Sequence, residues 1–275
     1  MLSSLSSGVT GLENFQEQMD VIGNNIANVN TTGFKSSVVD FADAFRNTLQ
    51  GAGTSTPAIQ VGTGVDIDGI DNNWTQGALV NTGVESNLAI SGNGFFLVKD
   101  PNTNAIYATR DGTFKLNQAG ELITPSGDIV QGMTNGTAGN VVVSIAGSTD
   151  TSPMVSYTID SAGNINVQQS DGNTYNCGQI LMQNFTDPQM LVNEGNNLYS
   201  NLDAAGAIGG SSATAYASGT NGLGKIESGY LESSNVDLSS EMANLITAQR
   251  AFEANSKIIT TTNEVLQTLV NLKQN

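Results

Sequence analysis

The sequence predicts an α+β protein: paired, coiled-coil-like N- and C-terminal helices plus a central antiparallel β domain with extended linkers. Three observations lead there. At the C-terminus Leu238, Leu245, Phe252, Ile259 and Leu266 recur at an interval of seven, with Met242 and Val270 in the seam between them and Ile258, Val265 and Leu272 widening the stripe. At the N-terminus Leu2, Leu5, Val9, Leu12, Phe15, Met19, Ile22, Ile26 and Val29 alternate intervals of three and four. Such spacing lines one side of a helix with apolar groups and favours packing against another helix. The middle of the chain lacks that period and reads as short apolar runs broken by Gly, Asn and Asp.

The first helix is predicted over residues 3–29 and stops at Asn30-Thr31-Thr32-Gly33, where two β-branched residues precede a glycine. At ~1.5 Å per residue it is roughly 40 Å long. Gly8, Gly11 and Gly23 within it each cost up to ~1 kcal/mol relative to alanine, a cost that makes sense where another backbone comes close. Phe34, Val38, Phe41 and Phe45 are spaced to share one face, and residues 48–64 are rich in Gly, Thr, Ser and Ala, as a mobile or extended segment would be. Val65–Ile70 alternates apolar with acidic, as a half-exposed strand does.

From Gly77 to Ser200 the chain reads as a meandering β domain. Leu88–Ile90 and Phe95–Val98 flank Ser91-Gly92-Asn93-Gly94, a strong hairpin signal. Further strands are predicted at 105–109, 113–116, 121–123, 141–145, 155–159, 164–167 and 179–185. Residues 201–224 are again Gly, Ala and Ser rich. The second helix starts at Asp237, a good N-cap, with Glu241 favouring the positive end of the dipole. Its seam positions Gln249, Ser256 and Asn263 are polar, a choice that lowers stability but fixes register. The predicted organisation is therefore a helical polymerisation domain (1–35 and 236–275), an extended linker (36–76), a β-rich outer domain (77–200) and a return linker (201–235).

Composition narrows the function. Nine basic against 25 acidic residues give a net charge of −16, without the clustered Lys and Arg that displace counterions from nucleic acid or attract anionic membranes. The chain has no histidine, so imidazole acid–base chemistry and histidine metal sites are absent. The single Cys177 can form no intramolecular disulfide and reads as a small buried hydrophobe. No run approaches the ~20 apolar residues of a membrane span, and residues 1–30, interrupted by Glu13, Glu17 and Asp20, do not resemble a secretory signal. Gly92-Asn93-Gly94 lies between strands, which argues for a turn over a phosphate loop. Asp66–Asp71 has part of a calcium-loop pattern but lacks the later glutamate and reads as a solvated strand face. Trp74 reads as packed. No enzymatic activity and no cofactor is expected.

The string Asp20-Val21-Ile22-Gly23-Asn24-Asn25-Ile26-Ala27-Asn28-Val29-Asn30-Thr31-Thr32-Gly33-Phe34-Lys35 closely resembles the N-terminal signature of flagellar rod and hook proteins, with Asn24, Asn25, Asn28, Gly33, Phe34 and Lys35 as its marker positions. Leu88–Phe96, Thr109–Phe114, Gly229–Leu238 and Ile246–Phe252 resemble the same family in the same order. Asn235–Ser239, Ser256–Thr261 and Leu269–Lys273 are particularly hook-like, so the resemblance implies a hook subunit of the short Gram-positive type, with a distal rod subunit as the alternative.

The family resemblance implies a hollow helical homopolymer that transmits motor torque, its terminal helices lining the inner wall and its β domain facing outward. It implies export by the flagellar type III apparatus without a cleaved signal peptide, and contacts with other rod, hook and junction proteins. The residues expected to pack between subunits are Leu5, Leu12, Met19, Ile22, Ile26, Leu238, Met242, Leu245, Phe252, Ile259, Leu266 and Val270. Two other classes fit parts of the sequence. A secreted polysaccharide-acting β enzyme would need a carboxylate pair in a cleft and would survive loss of the helices. A phage-tail or adhesin-like fibre would share the filament logic without the signature strings.

Overall fold

A computed structural model of the protein describes residues 2–50, 58–134, 137–143, 154–208 and 215–274. The chain divides into two compact units. The first unit holds residues 1–29, 36–73 and 236–275, and the second holds 30–35 and 74–235.

In the first unit, helix α1 (Leu2–Ala27) and helix α2 (Leu238–Gln274) pack against each other. Asp237 caps α2 as predicted, its Oδ1 accepting from the Ser239 N–H at 3.0 Å. The pairing is antiparallel: Gly8 lies against Ile259, Gly11 against Asn255, and Asn25 against Glu241. An added Cβ would come 3.3 Å from Ile259 Cγ1 at Gly8 and 2.7 Å from Asn255 Nδ2 at Gly11, so both glycines let the second helix come close. Gly23 meets nothing within 4 Å.

Residues 37–72 correct the expectation of an extended linker. They form β1 (Ser37–Asp43), β2 (Arg46–Gln50), β3 (Ile59–Gly62) and β4 (Val65–Asn72), with β1 paired to β4 and β2 to β3, both antiparallel. The β1–β4 ribbon is held on α1 by Asn14 Nδ2 donating to the Val65 carbonyl at 2.6 Å, and by Phe15 meeting Phe41 at 5.9 Å between ring centroids. Phe34, Val38, Phe41 and Phe45 do not share a face. Val39 is the buried residue of β1, while Phe45 is 94% exposed. A strand's period of two overrides the helical spacing of those aromatics. The acidic alternation in β4 does place Asp66 and Asp68 outward.

The second unit contains β5 (Leu79–Asn81), β6 (Leu88–Ser91), β7 (Phe95–Lys99), β8 (Ile106–Thr109), β9 (Lys115–Leu116), β10 (Leu122–Ile123), β11 (Ile129–Thr134) and β12 (Thr137–Asn140). It continues with β13 (Met154–Ile159), β14 (Asn164–Gln169), β15 (Thr174–Gln183), β16 (Val192–Gly195), β17 (Leu198–Ser200), β18 (Tyr216–Ala217), β19 (Lys225–Ser228) and β20 (Tyr230–Glu232). The principal sheet is antiparallel, in the order β13-β14-β15-β11-β7-β8-β17-β16. The unbroken run Phe95-Phe96-Leu97-Val98 is explained by burial of β7 on both faces. Phe96 and Val98 join one core with Leu122, Val130, Ile180 and Met182, while Phe95 and Leu97 join another with Phe185 and Tyr199. Cys177 is buried in the first core. Trp74 packs edge-on against Phe95 and Tyr199, with centroids 5.3 and 5.1 Å away.

Two further expectations are corrected here. The turn Ser91–Gly94 does not close a hairpin: β6 pairs with β19, and β7 with β8, β11 and β15. The Gly224 N–H donates to the Asn93 carbonyl at 2.7 Å, so returning chain occupies the edge that a hairpin partner would have taken. The return linker predicted at 201–235 is partly strand, because β18, β19 and β20 pair with β15, β6 and β5. Of the strand predicted at 141–145, residues 144 and 145 lie outside the described residues. Among the described residues no helix is long and apolar enough to cross a membrane.

Candidate subunit-packing surfaces and family signature

The α2 face turned toward α1 follows a heptad, with one seam position displaced from the predicted one. Leu245, Phe252, Ile259 and Leu266 are half-buried. The alternate positions Glu241, Asn255 and Thr262 are half-buried and Ala248 is buried; of the predicted seam positions Ser256 is half-buried, while Met242, Gln249, Asn263 and Val270 are exposed. Ala248 is 2% exposed, whereas Met242 is 51% and Val270 56% exposed. Gly8 and Gly11 let Ile259 and Asn255 of α2 come close to α1, and the buried side of α2 runs through Ala248 and Asn255. On α1, Ile22 is buried and Leu5, Leu12, Met19 and Ile26 are half-buried.

The displaced seam leaves apolar side chains on the outside of α2. Leu238, Met242 and Ile246 recur every four residues, and Ile258, Val265, Leu269 and Leu272 recur at seven, four and three, each set on one flank of the helix. All seven are at least 39% exposed. Spacing alone could not separate the inward from the outward stripe, because both have helical period.

The signature residues divide between the two units. In the first, Asn25 is 1% exposed, donates from Nδ2 to the Ser37 carbonyl at 2.8 Å and to Glu241 Oε1 at 3.3 Å, and accepts from the Ser37 N–H at 3.0 Å. It therefore ties α1, β1 and α2 together. Burial pushes the Glu241 carboxyl up, and the Asn25 hydrogen bond opposes that rise. Asn28 donates to Asn24 at the end of α1, to the carbonyl at 3.0 Å and to Oδ1 at 2.9 Å.

In the second unit Gly33 adopts φ +68°, and a Cβ there would lie 2.7 Å from the Asp111 backbone nitrogen. Only glycine satisfies both conditions. Thr32 Oγ1 donates to Asp111 Oδ1 at 3.0 Å, and Asn197 Nδ2 to the Thr32 carbonyl at 2.6 Å. Phe34 is buried. The Lys35 ammonium is buried against Glu232 Oε1 at 2.7 Å, and Arg110 Nη1 reaches Glu232 Oε2 at 3.3 Å. Burial lowers the Lys35 pKa, and the Glu232 charge opposes that shift. The sequence reading missed Arg110 and Glu232. Their signal was present: both charges sit inside signature strings, Glu232 beside Tyr230 and Leu231.

These arrangements hold backbone segments together. Among the described residues no cluster of three or more His, Cys, Asp or Glu is placed to hold a metal ion.

Comparison with known proteins gives these strings a family. Residues 5–35 match the family described as "Flagella basal body rod protein", residues 89–173 the "Flagellar hook protein FlgE/F/G D1 domain", and residues 227–272 the "Flagellar basal body rod FlgEFG protein C-terminal". The "Flagellar basal-body rod protein FlgG" of Bacillus subtilis is 41% identical over 281 aligned positions covering 100% of both chains. The chain belongs to the flagellar rod and hook protein family. Its family is one of flagellar structural subunits. Borreliella burgdorferi offers two relatives for comparison. Its rod protein FlgG is 33% identical across 100% of both chains, whereas its "Flagellar hook protein FlgE" is 42% identical over 53% of this chain and 34% of its own length.

Proposed function

We propose that the chain is a distal rod subunit of the flagellar basal body, polymerising with copies of itself into a hollow tube that carries torque. The end-to-end match with basal-body rod proteins carries this reading. It reverses the order expected from sequence, which put hook first. The hook-like strings lie in the helix and its approach, regions that rod and hook members share. The match with the hook relative takes in only 34% of that protein's length, against 100% for the rod relatives.

Two outward apolar flanks on α2 support self-assembly, because a lone helix pair leaves them in water. A contact between unlike surfaces that does not close propagates as a helical tube. Coiled-coil-like packing of these helices between copies, contacts with neighbouring rod, hook and junction proteins, and type III export without a cleaved signal peptide belong to the same reading. Immunogold labelling of isolated basal bodies tests it: label is expected on the rod, below the outer ring, and label on the curved external segment would return the assignment to hook.

A further inference from the structure

Glu232 is buried completely and carries two cations. Lys35 and Arg110 are 2% and 5% exposed, and both of their ion pairs end on this one carboxylate. The remaining contacts of the group are Lys35 Nζ donating to the Thr75 carbonyl at 2.8 Å, the Gly77 N–H donating to Glu232 Oε1 at 2.9 Å, and Arg110 stacked over Phe95 with its Cζ 5.1 Å from the ring centroid. The nearby Asp111 carboxylate is engaged by Thr32 and Thr113. Without Glu232, two cations would therefore be buried with no counter-ion.

Glu232 also arrives late in the chain. It closes β20, which pairs with β5, and it follows β19, which pairs with β6. Its backbone carbonyl accepts from the Gly33 N–H at 2.8 Å, and the Ser233 N–H donates to the Ala78 carbonyl at 2.9 Å. The earliest and latest stretches of the β unit are thus tied at one point, across the longest sequence separations in that unit, where loop closure is slowest.

We propose that Glu232 is a latch: the β unit stays open around residues 30–35, 75–91 and 225–235 until Glu232 reaches Lys35 and Arg110. A chain whose last strands are not yet available cannot complete the fold, because the cations resist burial. The lowered Lys35 pKa reflects the same desolvation.

Hydrogen exchange on the full-length chain, kept dilute, tests this in two ways. In pulse labelling during refolding, β7, β11 and β15 amides should be protected in an earlier phase than Gly33, Ser233 and the β6–β19 amides. Protection of all of them in one phase would overturn the latch. In the folded state, Glu232→Gln should speed exchange at Gly33 and Ser233 on the order of 100-fold or more, with β11–β15 amides changed only a few-fold. Equal loss across the unit, failure to fold, or no change would each count against a local latch. The triple variant Lys35→Met, Arg110→Met, Glu232→Leu removes the charge problem and should restore Gly33 and Ser233 protection to within about tenfold of wild type. Persistent opening in that variant would show that shape, not charge, holds the ends.

Discussion

The two units differ in how much of their apolar surface they can bury alone. The β unit covers both faces of its central strand: Phe96 and Leu97 are at most 1% exposed although their side chains point to opposite cores. The helical unit buries one seam, through Ala248 and Asn255, and leaves Met242, Ile246 and Leu269 about half exposed. A strand flanked by two cores is buried on both faces within one chain, whereas two helices offer each other one stripe and keep their flanks. The central strand of the β unit is therefore covered within one chain, while α2 keeps apolar flanks exposed along its length.

The largest expected effect lies where burial is complete. Phe96→Ala should destabilise the β unit by about 3–5 kcal/mol in denaturant unfolding. The matching change on the outside of α2, Ile246→Ser, should leave monomer stability within about 0.5 kcal/mol. If the two cost the same, the contrast between the units fails.

A smaller effect should appear with alkali. Burial holds the Lys35 pKa below its ordinary 10.5, so the unfolded chain binds the proton more tightly and stability rises with pH between the two values. Buried Tyr199 works the other way: its pKa is pushed up to about 12 from 10.0, and the stability it contributes below pH 10 is lost as pH rises toward that value. The Lys35 contribution is read as the difference between wild type and Lys35→Met as pH rises toward 10.5. Wild type should gain on the variant as pH rises, and a flat difference would remove desolvation of Lys35 from the account. The smallest effect is expected at Gly23, which meets nothing within 4 Å. Gly23→Ala should stabilise the helical unit by up to ~1 kcal/mol in thermal melts. A loss instead would mean that the site is already covered in the isolated chain.

The helices were legible in sequence because their periods are long and their N-cap, Asp237, is chemically distinct. Within the single chain Leu245, Phe252, Ile259 and Leu266 lie half-buried on the side of α2 that meets α1, and Met242 and Val270 are exposed. A three-residue and a four-residue step both continue a heptad, and spacing does not show that Gly11 on the other helix lies against Asn255. Residues 37–50 and 59–62 were misread as linker for a different reason, while the alternation of 65–70 did announce β4. Their pairing partners are separated by a segment whose Gly, Thr and Ser content signals a linker, and β-propensity says little without its cross-strand partner. The β6–β19 pair escaped for the same reason, since the local Asn-Gly signal at 93–94 outweighed a partner more than a hundred residues away. Within the signature, Gly33 announced itself as a stop; Lys35, Arg110 and Glu232 each stand in a signature string, but their pairing joins three distant segments and no string shows it.

The claim that the outward flanks of α2 exist to meet other copies is tested most directly by sedimentation velocity, with electron microscopy, on the full-length chain. Wild type is compared over a rising concentration series with the double variant Ile246→Asp, Leu269→Asp. Wild type should pass from monomer to elongated assemblies, while the variant stays monomeric with an unchanged β-unit melt. A wild type that remains singly dispersed with both helices fully protected, or a variant that assembles as readily, would contradict the account.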